Sequence, residues 1–310
     1  MSSPLLIVDV PWLLYRSFFA LPRSIVGADG QPVNALLGTV NAILSVYEAR
    51  LPARGVRGVV ACMGAEQAEY RVALYPAYHA HRDPMPDELA RQWRQAPALL
   101  ESLAWTFATS ERLEADDVMF SFSRAEEEHG GAALLLTGDR DLYAAASTRV
   151  SVLELKKGGR HGELGPDQVR ERYGVEPEQV PDLIALRGDP SDGLPGAPGV
   201  GAKTAAELLR AYGSLEAVLL AAHGAAETGS ARGSHASSTS AARMRPRVAA
   251  ALRENAELLR KFKHVATLQR IDVALPSDRA TDFAGGARVA GELGMRRLAT
   301  RLQELAQARG

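Results

Sequence analysis

Four short apolar runs, separated by longer stretches with helical spacing, set the tightest limit on what this chain can fold into. Residues 5–10 (LLIVDV), 58–62 (GVVAC), 132–139 (AALLLTGD) and 150–155 (VSVLEL) are nearly continuous in apolar side chains rather than alternating. Strands of that kind are buried on both faces, as in a parallel sheet. The segments between them, for example 33–50 and 86–105, carry helical periodicity, so the pattern reads as βαβ units. An α/β fold follows, with a mostly parallel sheet flanked by helices. Ligands of such sheets bind beyond the carboxyl ends of the strands. Asp9 and Asp139 stand at two of these ends, and Gly64 follows a third.

Past residue 166 the character changes to short helices joined by tight Gly/Pro turns. Two regions are therefore expected: an α/β core over 1–165 and a helical region over 166–310. Within the second, 223–247 is poor in large apolar residues and rich in Gly, Ser and Ala, which predicts a flexible loop. Helical periodicity returns at 248–264 and 286–309, and no internal repeat is visible. Hydrophobic residues make up 46% of the 310 and charged residues 24%, a globular balance. The single cysteine, Cys62, excludes a disulfide framework and a multi-cysteine zinc site. No apolar run reaches the ~20 residues of a membrane span, and MSSPLLIVDV lacks the basic start of a secretion signal. A cytoplasmic protein with no membrane partner is expected. The net charge of −1 does not argue against a nucleic-acid partner, because clustered carboxylates cancel a basic face in the sum.

The acids carry the chemistry. Asp9 ends the first run; Glu114, Asp116 and Asp117 lie in LEADDV at the start of a helix; Asp139 and Asp141 lie in TGDRDL; Asp189 and Asp192 lie in GDPSDG. Asp116 and Asp117 also suit a helix N-terminus, and GDxD also suits a turn, but Asp9 at a buried strand end needs a partner. Converging on one end of a sheet, eight carboxylates repel unless cations neutralise them. Hard oxygen donors without His or Cys select Mg²⁺ or Mn²⁺. Two such ions about 4 Å apart activate water and stabilise the leaving oxygen of a phosphodiester.

A glycine-rich turn, PGAPGVGAKT at 195–204, joins two short helices. It is not a nucleotide-binding P-loop, since Ala202 precedes Lys203, and no GxGxxG fingerprint follows a strand. Small residues opening a helix let backbone amides approach an anion, and a helix–hairpin–helix grip on a DNA phosphate fits.

Taken with LLIVDVPWLLYRSFFALP, YRVALYPAYHAHRDPMPDEL, LEADDV, LLLTGDRDL and LIALRGDPSDGLPGAPGVGAKTAAELLRAYGSLE, these features resemble the bacterial 5′–3′ exonuclease and flap endonuclease family, which includes the N-terminal domain of DNA polymerase I. The resemblance is close over roughly 4–220 and looser to about 275. It implies a PIN-like core followed by a helix–hairpin–helix at about 180–213, and hydrolysis of DNA at 5′ flaps, nicks and 5′ ends. It implies two or more Mg²⁺ or Mn²⁺ ions held by Asp9, Glu114, Asp116, Asp117, Asp139, Asp141, Asp189 and Asp192, with a K⁺ ion at the hairpin. Arg16, Arg71, His79, Arg82, Gly199, Gly201, Lys203 and Thr204 match DNA-contacting positions, and the helical arch that passes the 5′ strand is expected within about 79–110. Roles in repair and replication are what the family suggests. A stand-alone, monomeric, nucleoid-associated nuclease without a polymerase domain is expected.

Three departures from the family pattern stand out. Gly64 occupies the place of an aspartate seven residues before Arg71, so one metal carboxylate is missing, with Glu66 two residues on. His79 stands where the family has a lysine that helps activate the scissile phosphate. Asp9-Val10-Pro11 replaces Asp-Gly-Asn. Seven matched acids remain beyond Asp9, which favours an active nuclease. A DNA-structure-binding protein with a degenerate nuclease site is the second reading, and an RNA-directed PIN-like nuclease the third.

Overall fold

The computed structural model describes residues 3–50, 55–156, 161–228 and 244–308. In chain order the elements are β1 (Leu5–Asp9), α1 (Val10–Ala20), α2 (Asn34–Arg50), β2 (Gly58–Cys62), α3 (Glu69–Leu74), α4 (Asp87–Glu101), β3 (Thr106–Ala108), α5 (Ala115–Glu128), β4 (Ala133–Leu136), β5 (Val150–Leu155) and β6 (His161–Leu164). Helices then follow: α6 (Pro166–Tyr173), α7 (Val180–Arg187), α8 (Ala202–Tyr212), α9 (Leu215–Thr228), α10 (Pro246–Glu254), α11 (Ala256–Ala266), α12 (Phe283–Glu292) and α13 (Arg296–Gln307). They fall into two compact units. The first comprises Met1–Glu66, Asp83–Gly165 and Gln269–Gly310; the second comprises Gln67–Arg82 and Pro166–Leu268.

The first unit is built on a six-stranded sheet in the order β3-β2-β1-β4-β5-β6. All neighbours are parallel except β5 and β6. The chain lays down β1, β2 and β3 to one side, then crosses to place β4 on the other side of β1. That reversal makes a switch point at the carboxyl ends of β1 and β4, where a doubly wound sheet opens a crevice. Side chains alternate across β1. Leu6 and Val8 join a large apolar core with α1, α2, α4, α12 and α13, while α5 packs against β1, β2 and β4.

One buried polar knot holds the first core together. The Gln92 side chain on α4 accepts from the amides of Ala35 and Leu36 at the start of α2 and donates to Asn34 Oδ1. Asn34 in turn donates to the carbonyls of Phe18 and Leu21 at the end of α1. Orphan donors at a helix start are thereby satisfied without water.

Residues 269–308, grouped by sequence with the helical half, pack in the first unit. Phe283, Ala287, Ala290, Met295, Leu298 and Leu302 enter its core, and Arg57 anchors the approach by donating to Glu126, Asp278 and the Pro276 carbonyl. The interval 79–110, expected to hold the arch, spans both units: its main element is α4, whose Leu89, Ala96, Leu99 and Leu100 are buried in the first core. Of the expected loop 223–247, residues to Thr228 continue α9 and α10 begins at Pro246; 229–243 lie outside the described residues.

The second unit is helical, with a core that includes Leu183, Ile184, Leu209, Leu219, Leu259 and Phe262. Tyr75 meets Phe262 edge to face at 5.1 Å, and the Lys263 ammonium pairs with the largely buried Asp182 at 2.6 Å. Among the described residues no helix is long and apolar enough to cross a membrane.

Candidate functional site

In the first unit the strand ends and the start of α5 carry six of the expected acids, of which Asp139 and Glu114 act electrostatically on Asp9. Asp9 ends β1 and caps α1: its Oδ1 accepts from the Trp12 amide at 2.9 Å. Its Oδ2 accepts from the Thr137 hydroxyl at 2.6 Å. The same hydroxyl accepts from the Asp139 amide, and Asp139 Oδ1 accepts from the Asp141 amide, each at 2.9 Å. One chain of hydrogen bonds thus sets the loop after β4 relative to the end of β1. Thr137 was not singled out by sequence; its signal is a small hydroxyl residue closing the apolar run LLLTGD.

Asp9 is 3% exposed, and this has an electrostatic consequence. Burial pushes its carboxyl from an ordinary 3.8 up to about 7, against the two hydrogen bonds, and the charges of Asp139 and Glu114 add to the rise. Burial also raises the Cys62 thiol, with Asp9 and Asp116 contributing. The acids therefore feel one another. Without a cation the neighbourhood is electrostatically unfavourable.

Glu114 occupies the N-cap position of α5, and Asp116 and Asp117 lie in its first turn. Asp117 is wholly buried, and its Oδ1 accepts from the Gln269 amide at 2.7 Å, so it also ties the returning C-terminal segment to α5. Arg16, on α1, is exposed with its guanidinium 5.7 Å from the centre of the Trp12 ring. The Trp12 ring lies over Gly138, where a Cβ would come within 2.5 Å of Nε1.

Gly64 is explained by the same close packing. A Cβ at this position would meet the Glu114 carbonyl carbon at 2.6 Å and the Ala115 nitrogen at 2.7 Å, with the Leu113 oxygen closer still. The Ala65 amide donates to that Leu113 oxygen at 2.9 Å. The chain leaving β2 thus lies directly on the backbone that delivers Glu114, in the space an aspartate side chain would need. Glu66 is exposed and accepts from the Tyr15 hydroxyl at 3.3 Å. Among the described residues no three His, Cys, Asp or Glu side chains come together closely enough to hold a metal ion as they stand. The carboxylate donors suit hard divalent cations by type.

The second unit carries the remaining expected residues. Asp189 and Leu194 exchange backbone hydrogen bonds across a tight loop, inside which Asp189 Oδ1 accepts from the amide and hydroxyl of Ser191. Arg187 approaches Asp189 at 3.5 Å. Asp192 pairs with His79 at 2.9 Å and Arg82 at 3.3 Å. Arg71 and His79, both matched to DNA-contacting positions, are each 2% exposed. Arg71 sits against the rings of Tyr70 and Tyr78, whereas Arg82 is half exposed.

The glycine-rich turn of this unit joins α7 to α8. Gly188, Gly193, Gly196 and Gly199 all have positive φ, and at Gly188 and Gly196 a Cβ would strike backbone at 2.5 Å from Leu194 O and Arg187 C respectively. Gly199 and Gly201, by contrast, face open space. Gly201 is the N-cap of α8 and offers no side chain to its first amides. Those amides, with the exposed Lys203 and half-buried Thr204, form a small positive end suited to a phosphate.

Residues 4–174 match the domain family described as the 5′-3′ exonuclease N-terminal resolvase-like domain, and residues 175–284 match its C-terminal SAM fold. A 5′-3′ exonuclease of Mycobacterium tuberculosis is 37% identical over 243 residues, covering 72% of this chain and 74% of that protein. The thermostable DNA polymerase I of Thermus thermophilus is 39% identical over 217 residues, 69% of this chain and 25% of the polymerase. The chain thus spans about a quarter of the polymerases that it matches. Among solved structures, a bacteriophage T5 flap endonuclease in a pseudo-enzyme-product complex with DNA and metal ions aligns with a TM-score of 0.64 at 18% identity, covering 98% of this chain and 99% of that one. The catalytic core of Rad2 in complex with DNA substrate aligns at 0.61 and 12% identity, covering 97% and 93%. At these identities the structural matches speak for the fold.

Proposed function

The chain belongs to the 5′–3′ exonuclease family, and from that premise we propose that it hydrolyses DNA phosphodiesters at 5′ flaps, nicks and 5′ ends with the help of divalent metal ions. The observation that carries this reading is Asp9: a buried carboxylate at a sheet switch point, pushed up to about 7 with neighbouring acids contributing, is held in a form that a cation would relieve. Asp9, Glu114, Asp116, Asp117, Asp139 and Asp141 in the first unit are the proposed ligands, with Asp189 and Asp192 as further acids in the second. Mg²⁺ is the expected ion, and Mn²⁺ the more tolerant substitute where one family acid is replaced by Gly64. When bound, such ions supply a deprotonated water and neutralise charge on the leaving oxygen.

What the chain's own residues do follows from their placement. Thr137 fixes the orientation of the Asp9 carboxylate and, through the Asp139 amide, the turn that presents Asp139 and Asp141. The acids hold charge and geometry rather than abstract protons. The amides at the start of α8, with Lys203 and Thr204, hold a duplex phosphate; Gly199 and Gly201 let the strand approach because neither fills the space in front of them. A K⁺ ion at this hairpin is part of the same reading. Contacts of this type are indifferent to sequence and weaken with salt. Arg16 and Arg82, both exposed, are the proposed contacts for the unpaired strand.

The test is cleavage of matched DNA and RNA 5′ flaps, a nicked duplex and a blunt duplex, with Mg²⁺ and Mn²⁺ titrated separately. DNA flaps and nicks cut at the junction, with RNA flaps cut poorly, is the expected result. Tight binding without cutting under either ion would support a DNA-structure-binding protein with a degenerate site instead.

A further inference from the structure

We propose that His79 is a positioning residue that turns Asp192 toward a divalent cation. The proposal rests on the reading of Asp192 as a metal-binding acid. The imidazole is buried, stacked on the Tyr78 ring at 3.7 Å between centroids, and Tyr78 in turn lies against the buried Arg71 guanidinium. His79 adopts φ +54, a left-handed conformation that a non-glycine residue keeps only where its surroundings over-determine it. Its backbone amide donates to the Asp192 carbonyl at 3.3 Å, so main chain and side chain address the same residue.

The hydrogen-bond pattern shows what this achieves. His79 Nε2 and Arg82 Nη2 both reach Asp192 Oδ1, at 2.9 and 3.3 Å. No hydrogen bond from a described residue reaches Oδ2. One oxygen is clamped and the other is left to a ligand, as partners outside the coordination shell orient a metal-binding carboxylate. Nε2 faces an acceptor and therefore carries the proton. Nδ1 is buried without a partner. The single Nε2 hydrogen bond fixes the carboxylate through one of its oxygens. A lysine, the residue found here in the family pattern, would place a full positive charge against the same acid.

The experiment is Mn²⁺ titration of the full chain by electron paramagnetic resonance, without DNA, for the wild type, Asp192→Asn, His79→Phe, which keeps the ring but donates nothing, and His79→Gln, which keeps a donor at similar reach. His79→Asn, too short to reach Asp192 yet tolerant of left-handed backbone, replaces His79→Phe if circular dichroism shows that variant unfolded. Asp192→Asn and the donorless variant are expected to weaken the same Mn²⁺ ion by about 10–100-fold, with any other Mn²⁺ affinity unchanged and His79→Gln close to wild type. Wild-type Mn²⁺ binding in the donorless variant, where Asp192→Asn loses an ion, would overturn the role of His79 alone. Unchanged binding in Asp192→Asn would overturn the metal reading of Asp192, and the positioning role with it.

Discussion

Replacing Asp9 by asparagine should make the metal-free protein more stable at neutral pH, although it removes a proposed metal ligand. The buried carboxyl is raised from 3.8 to about 7, a difference of roughly three units, and each unit corresponds to about 1.4 kcal/mol. Because the folded state holds the proton more tightly than the unfolded chain, the penalty is absent below about pH 4, grows as pH rises towards 7, and is constant above that. Its ceiling is therefore ~4 kcal/mol. Asparagine keeps the acceptor for the Trp12 amide but can no longer accept the Thr137 hydroxyl proton at Oδ2, a loss of about 1 kcal/mol. A net gain of about 2–3 kcal/mol at pH 8 remains, or a rise of several degrees in melting temperature. The assay is thermal and urea unfolding in chelator at pH 4.5, 6 and 8. Excess Mn²⁺ should then narrow the gap, since a ligand at 100 times its dissociation constant stabilises the wild type by ~2.7 kcal/mol and the variant by less. An Asp9→Asn protein no more stable than wild type at pH 8, or an advantage that persists unchanged at pH 4.5, would refute the electrostatic reasoning.

Other expectations follow from the same geometry. Gly64→Asp, which restores the acid of the family pattern, should lower both stability and cleavage, because its Cβ must displace the backbone that carries Glu114; overpacking of this kind costs about 1–3 kcal/mol, Gly64→Ala should share the loss in thermal melts, and faster flap cleavage by Gly64→Asp would contradict the steric account. Asp139→Ala should abolish Mg²⁺-dependent cleavage while flap binding measured by fluorescence anisotropy in chelator is retained or tightened. Lys203→Ala should weaken duplex binding equally across sequences and lower the slope of log affinity against log salt by about 1, whereas a sequence-dependent loss would argue against a phosphate contact.

Much of the sheet was legible because β1, β2 and β4 are buried along their whole length and read as continuous apolar runs, with β5 buried at Val150, Val152 and Leu153. β3 has three half-buried residues and β6 is HGEL; neither has an apolar pattern of its own, and both exist through pairing with β2 and β5. The amphipathic faces of α12 and α13 were visible, but periodicity does not say which core a face will enter, and here the core is that of the first unit. The acids were legible because hard-metal chemistry needs carboxylates at strand ends. Thr137 and the Gly64–Glu114 approach were not, since both depend on residues 128 and 50 positions apart meeting in space. His79 reads as a polar residue in a basic segment, and neither its left-handed backbone nor its stacking on Tyr78 has a signal in the sequence.

Single-turnover cleavage of a 5′-labelled DNA flap tests the central claim most directly, in chelator, in Mg²⁺ and in Mn²⁺, with Asp139→Ala alongside. The account predicts product released at the flap junction in the presence of either divalent ion, none in chelator, and none from Asp139→Ala. Intact flap bound by well-folded protein at saturating Mg²⁺ and Mn²⁺, or cleavage that survives both chelator and the loss of Asp139, would contradict it.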